Sequence, residues 1–273
     1  MRTTALYVPG DRPDRLAKAL TVGADELIVD LEDAVPVAAK EKTRAEVAGW
    51  LRTLPEDRPL VTVRVNPGEL GRADVRAIAG PGLDGVCAAK VENVDDVRAL
   101  DAVLTDRGLP DLPVVPLLES AAAIFAAPGI AAGPRVTRLQ IGEADLAADL
   151  GVTPGPDESE LLWARSQVVA ASAGAGLRPP IGPVSTEFRD LDAFRATTLR
   201  LKRLGFRGRA CIHPAQLAVA AEVFTPAPEE LQWARTLLAR YDAALAAGSA
   251  VFVGDDGRFV DEAVIRTARA LLT

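Results

Sequence analysis

Residues 27–35 read LIVDLEDAV, an apolar run that ends by placing Asp30, Glu32 and Asp33 within four positions. A short run rich in β-branched residues reads as a buried strand. Three mutually repelling carboxylates at its end have two readings. They form a solvated turn, or they face something positive. The helical pattern VAAKEKTRAEVAGWLRTL (37–54) follows within a few residues, so the local unit is strand, acidic turn and helix.

The same unit recurs outward in both directions. Strands are expected at ALYV (5–8), LIVDL (27–31), LVTVRV (60–65), GVCAA (85–89), PVVPLL (113–118), TRLQIG (137–142) and RACIH (209–213), with a weaker seventh at PIGPVS (180–185). Between them lie helical patterns such as RPDRLAKAL, VDDVRALDAVLTDRG and ESELLWARSQVVAASAGAG. Strict alternation predicts parallel pairing under a cover of helices. Eight units without a composition break predict a single (β/α)8 TIM barrel with extra C-terminal helices. The first turn, VPGDRP, has one glycine and lacks the GxGxxG spacing of a dinucleotide site. Residues 1–223 are assigned to the catalytic barrel. Residues 224–273 form a helical extension, expected to pack on the barrel or on a neighbouring subunit. After the eighth strand come helices near 214–223, 227–247 and 260–272, with a strand-like VFV (251–253) and a GDDGR turn (254–258) before the last.

Composition narrows the function. The 273 residues are 49% hydrophobic and 25% charged, with a net charge of −7. An acidic balance excludes a broad nucleic-acid or anionic-lipid surface. No apolar stretch approaches the ~20 residues of a membrane span, and MRTTALYVPG is too soon interrupted to be a signal peptide. A cytoplasmic protein is expected, with Cys87 and Cys211 as buried free thiols.

In a barrel, chemistry gathers at the C-terminal ends of the strands. Six of the expected strands deliver ionisable groups there: Asp30, Glu32 and Asp33; Arg64; Lys90 and Glu92; Glu119; Glu143 and Asp145; and His213. Taken singly, each acid reads as the first-turn acid of the next helix, and Lys90 as a counter-charge. Taken together, carboxylates from adjacent strands suit Mg²⁺, which prefers hard oxygen ligands. With one histidine in the chain, neither a zinc site nor a Ser-His-Asp triad is supported. Arg64, flanked by apolar residues in VRVN, must be paired or must serve an anionic oxygen.

The ordered set VPGDRPDRLAKAL, VDLEDAVPVAAKEKTR, VRVN, AAKVEN, PLLESA, IGEADLAADLG, ARSQVV, GFRGRACIHPAQ and GRFVDEA resembles the citrate lyase β-subunit-like (CitE-like) branch of the HpcH/HpaI aldolase superfamily. The resemblance covers nearly the whole chain. It implies a Mg²⁺-dependent carbon–carbon lyase (Mn²⁺ being a possible substitute) that cleaves or forms a 3-hydroxyacyl-CoA such as malyl-, citramalyl- or citryl-CoA. The partners implied are a CoA thioester and a small 2-oxo acid. Glu119 and Asp145 match the metal ligands, and Arg64 with Glu119 the substrate contacts. Glu32 and Asp33 match an acid cluster beside the metal. Pro9, Arg12, Arg15, Lys18, Lys40 and Arg44 match the segments near the CoA phosphates. Asp261 matches an aspartate lent to the adjacent protomer of a trimer or hexamer. Four positions depart from the family pattern: Ala89, Ala144, Gly182 and Glu262. They put the acyl pocket in question.

Three other readings compete. A β-subunit of a citrate lyase complex would act on a carrier-bound thioester, and an accessory barrel would not catalyse at all. A covalent-lysine aldolase would use Lys90, which needs a lowered pKa that Glu92 and its acidic neighbours oppose.

Overall fold

A computed structural model describes residues 3–249, 251–254, 257 and 259–272. These fall into two compact units, split between Phe224 and Thr225.

The larger unit alternates strand and helix. Its strands are β1 (Thr4–Pro9), β2 (Glu26–Asp30), β3 (Leu60–Val65), β4 (Gly85–Ala88), β5 (Val114–Leu118), β6 (Gln140–Ile141) and β7 (Arg209–Cys211). They form a seven-stranded parallel sheet in the order β6-β5-β4-β3-β2-β1-β7, the arrangement of a TIM-barrel-like α/β fold. Its helices are α1 (Pro13–Ala19), α2 (Lys40–Leu51), α3 (Gly68–Ile78), α4 (Val94–Asp106), α5 (Ala121–Ala131), α6 (Glu143–Leu150), α7 (Leu162–Gly174), α8 (Leu191–Leu204) and α9 (Pro214–Phe224). Each strand predicted from the sequence, apart from 180–185, overlaps an observed one.

The exception has a covalent cause. Within 180–185, Ile181 makes one isolated bridge to Gln140, and Gly182 one to Arg209. Pro180 and Pro183 flank that pair and have no N–H to donate, so the ladder cannot extend.

Burial explains why the strands are apolar on both faces. Leu27, Val29, Val63, Val86 and Leu118 pack outward against the helix layer, including Leu16, Val47, Val75, Val97, Ile124 and Val168. A smaller cluster of Ala5, Ile28, Cys87, Leu117 and Ile181 fills the other face. Each such large side chain removed from water contributes roughly 1.5–3 kcal/mol. Cys87 and Cys211 are both buried and free, as expected.

Register brings the polar residues to one end. Pro9 pairs with Asp30, Asp30 with Arg64 and Arg64 with Cys87, all in parallel strands. Helix caps fix where the chain turns. Ser120 Oγ accepts the Ala123 N–H to start α5 immediately after Glu119, and Asn93 closes a capping box with Asp96 on α4.

The smaller unit contains α10 (Pro228–Ala246), a hairpin of β8 (Phe252–Val253) and β9 (Phe259–Val260), and α11 (Glu262–Leu272). Ala234, Leu237 and Tyr241 of α10 pack with Val260, Ile265 and Ala268. In the expected GDDGR turn, Asp255, Asp256 and Arg258 lie outside the described residues.

Candidate metal and active site

Arg64 projects from β3 and is only 12% exposed. Its Nε and Nη2 donate to the two oxygens of Asp30 at 2.7 and 2.6 Å, a bidentate pair between adjacent strands. Nη1 lies 3.2 Å from Glu32 Oε2 and 3.6 Å from Asp33 Oδ2. The guanidinium also sits 5.1 Å from the centre of the Tyr7 ring. Burial alone would lower the Arg64 pKa, but Asp30 raises it above the usual arginine value, so the group stays charged. Arg64 answers part of the question raised by LIVDLEDAV, and the remaining positive charge is Lys90.

Lys90 follows β4 with φ +51°, left-handed backbone that costs a residue with a Cβ about 1–2 kcal/mol. That turn aims its N–H at Glu119 Oε1, 2.6 Å away. Its ammonium meets Glu32 Oε1 at 2.5 Å, Asp33 Oδ1 at 3.5 Å and Asp145 Oδ2 at 3.6 Å. Burial pulls the lysine pKa down, yet Glu32 and the other carboxylates raise it well above the ordinary value. An amine held protonated does not form a Schiff base, which weighs against the covalent-lysine reading. Burial raises the Glu32 pKa above its ordinary value, against the lowering pull of Lys90 and Arg64.

Glu119, buried at the end of β5, has its pKa raised to about 8 by burial and by the neighbouring Asp145. Asp145 stands in the first turn of α6, half exposed. Gly142 makes their approach possible: a Cβ there would meet Glu119 Oε2 at 2.7 Å. Two carboxylates drawn together against their own repulsion form a hard-oxygen pair for a divalent cation. No group of three or more His, Cys, Asp or Glu able to hold a metal exists among the described residues. A two-carboxylate set fits Mg²⁺, which keeps several waters, and does not fit zinc.

Bracing groups hold these elements, and among them Arg165, Glu158 and Asp74 were not singled out from the sequence. Arg165 of α7, 3% exposed, grips Glu143 at 2.5 and 2.6 Å and Glu158 at 2.9 Å, fixing the turn that carries Asp145. Asp74 of α3 accepts from Arg44 Nε at 2.7 Å and from the Asn66 backbone and side-chain amides. Asn66 in turn donates to the Leu31 carbonyl. Lys40 donates to the carbonyls of Leu31 and Glu32 at 3.0 and 2.7 Å. The sequence signal for Arg165 is a charge inside the apolar run LLWARSQVV.

The other expected residues are placed as follows. Pro9 ends β1, and Arg12, Arg15 and Lys18 are exposed along α1, with Arg12 paired to Asp14 at 3.0 Å. Lys40 and Arg44 are engaged internally, as described. Asp261 lies in the smaller unit, where Oδ1 accepts the N–H groups of Ala263 and Val264 at the start of α11. Glu262 accepts from Tyr241 Oη at 2.8 Å and from Arg269 at 2.7 Å, tying α11 to α10. A Cβ on Gly182 would point into the helix layer, 2.9 Å from Leu201 Cδ1.

Residues 3–214 match the family model for HpcH/HpaI aldolase/citrate lyase. The chain belongs to that family. Among its relatives is a (3S)-malyl-CoA thioesterase of Cereibacter sphaeroides, 36% identical over 271 residues, 98% of this chain and 93% of the relative. An L-malyl-CoA/β-methylmalyl-CoA lyase of the same organism is 34% identical, covering 98% and 92%. A crystal structure of CitE from Mycobacterium tuberculosis, in complex with magnesium, acetoacetate and coenzyme A, superposes with a TM-score of 0.80. It is 28% identical, with 99% of this chain and 97% of that one covered. Membership in this family places the chain among the lyases and makes it an enzyme, as the sequence motifs imply.

Proposed function

We propose that this protein is a Mg²⁺-dependent carbon–carbon lyase acting on a 3-hydroxyacyl-CoA of the malyl, citramalyl or citryl type, and releasing acyl-CoA and a small 2-oxo acid. The observation that carries this reading is the convergence of Glu119 and Asp145 beside the Arg64–Lys90 charge cluster. The magnesium, acetoacetate and coenzyme A named for the CitE structure support it.

Glu119 and Asp145 would hold Mg²⁺, which when bound supplies Lewis-acid stabilisation of negative charge on oxygen. Arg64, already oriented by Asp30 and Tyr7, would stabilise the oxygen that becomes the 2-oxo carbonyl. In cleavage the hydroxyl would give up its proton to a water held by Glu32 and Asp33, the bond between the hydroxyl-bearing carbon and the thioester methylene breaks, and the electron pair passes to the thioester enolate. Asp261, from a neighbouring protomer of a homo-oligomer, would protonate that carbon. Glu32 and Asp33 would hold the waters and Lys90 around the site. Arg12, Arg15 and Lys18 on the exposed face of α1, with Pro9, would meet the CoA phosphates, while Lys40 and Arg44 brace the ends of β2 and β3. The smaller unit then serves as the donor of Asp261, and residues 1–223 close as the eight-unit barrel.

A second reading is thioester hydrolysis, favoured by the thioesterase name of the 36%-identical relative. One assay separates the two. Malyl-, citramalyl- and citryl-CoA are incubated with and without EDTA, and products are resolved. Acetyl-CoA with glyoxylate, pyruvate or oxaloacetate is the outcome expected of the lyase. Free CoA with the intact hydroxy acid means hydrolysis. Silence across the panel, rescued by an acyl-carrier thioester, means a citrate lyase β-subunit, and silence with both means an accessory barrel. The Glu119→Gln/Asp145→Asn variant should fold and be inactive; turnover by it would remove the metal from the mechanism.

A further inference from the structure

We infer that Lys90 is a positioning residue whose ammonium competes with the divalent cation for Asp145 and so sets how tightly the site holds metal. This rests on the assignment of Glu119 and Asp145 as the metal carboxylates. Lys90 touches both halves of the site. Its backbone N–H bonds Glu119, and its ammonium is at salt-bridge distance from Asp145, Glu32 and Asp33.

The geometry is specific in three respects. First, the left-handed backbone at φ +51° is a conformation that a lysine adopts only when its surroundings enforce it. Second, the head group reaches carboxylates from the end of β2 and the first turn of α6, so one side chain links two elements that share no sheet contact. Third, the side chain is 39% exposed, so it has room to move between its partners. Glu32 is the near partner at 2.5 Å and Asp145 the far one at 3.6 Å. A dication on Asp145 would repel this ammonium toward Glu32 and Asp33, which are positioned to receive it. On this view the acid cluster is the resting place of a displaced internal cation.

The sign is opposite to that of an ordinary structural ion pair. Removing Lys90 deprives Glu32 of the nearer of its two cations and should lower thermal stability. It should also strengthen metal binding, because a positive charge has left the neighbourhood of the site. A merely structural lysine would lower both. Mg²⁺ binding to the full-length protein is measured by calorimetry, without substrate, for wild type, Lys90→Met, Lys90→Gln and Lys90→Arg, alongside melting curves taken in EDTA. Lys90→Met and Lys90→Gln are expected to bind Mg²⁺ about tenfold more tightly, equivalent to about 1.4 kcal/mol, and to melt lower. Lys90→Arg, which keeps the charge, should stay near wild type. Lys90→Gln retains a hydrogen bond to Glu32 and stands in if Lys90→Met does not fold. Unchanged or weaker binding in the neutral variants, with wild type binding normally, overturns the competition. Failure of wild type itself to bind Mg²⁺ overturns the metal assignment on which it rests.

Discussion

At Arg64 one side chain holds two strands together and would, in the proposed mechanism, also carry the chemistry. Its fork fits Asp30 across the β2–β3 ladder, and Asp30 also accepts the N–H groups of Glu32 and Ala34. Removing the guanidinium leaves Asp30 buried with no cation, and breaking a buried pair costs about 3–5 kcal/mol. Arg64→Ala should therefore lower the urea midpoint as well as abolish turnover. Arg64→Lys, a point charge without the fork, should recover only part of the stability. Glu119 gives the second prediction at this scale. Its pKa rises from the carboxylate range to about 8 on folding, so the protonated form is the one the folded chain favours. Its contribution to stability is full below pH 4.5, falls as pH rises, and is lost through pH 8. In EDTA, the unfolding free energy should decline between pH 5 and 8.5 by an amount on the order of a few kcal/mol. Glu119→Gln should flatten that decline, and a parent profile already flat over this range would contradict the assigned shift.

At the scale of elements, α6 is held by a buried charge from α7. Arg165 grips Glu143 and Glu158, and Glu143 stands two residues before Asp145. Arg165→Ala should cost about 3–5 kcal/mol, because two acids lose their cation, and should weaken Mg²⁺ binding through a loosened Asp145. Normal metal affinity in a destabilised Arg165→Ala would show that the first turn of α6 keeps its position without this clamp. The same elements show what the sequence could reveal. LIVDL, LVTVRV and PVVPLL announce strands because their apolar runs are β-branched and stop at charged residues. PIGPVS is a weaker signal, with Ile181 and Val184 separated by Gly182 and Pro183, and its prolines limit it to single bridges. Candidate acids were visible because they end strands. The internal partners of Arg44 and Lys40 were not, since α3 and the turn after β2 meet them only in three dimensions. Local pattern reports which face is buried; it does not report which distant charge arrives there.

At the scale of the whole molecule, residues 225–273 carry Asp261. Within this unit Asp261 accepts two N–H groups at the start of α11, and Glu262 fastens that helix to Tyr241. One Asp261 oxygen, Oδ1, is thereby engaged by its own helix. If Asp261 works in the site of a neighbouring protomer, two differently damaged chains should repair each other. Glu119→Gln spoils a chain's own proposed metal carboxylates and leaves its Asp261 intact; Asp261→Asn does the reverse. Each homo-oligomer should be inactive. When the two are co-expressed in equal amounts and assemble at random in a closed ring, about one site in four pairs an intact Glu119 with an intact Asp261 from its neighbour. Activity near a quarter of wild type, rising from two inactive parents, is the expected result. Because each chain keeps one lesion, a mechanism in which Asp261 serves its own barrel predicts no recovery at any ratio. Dilution below the assembly concentration adds a further check, since recovered activity should then be lost together with that of the wild type.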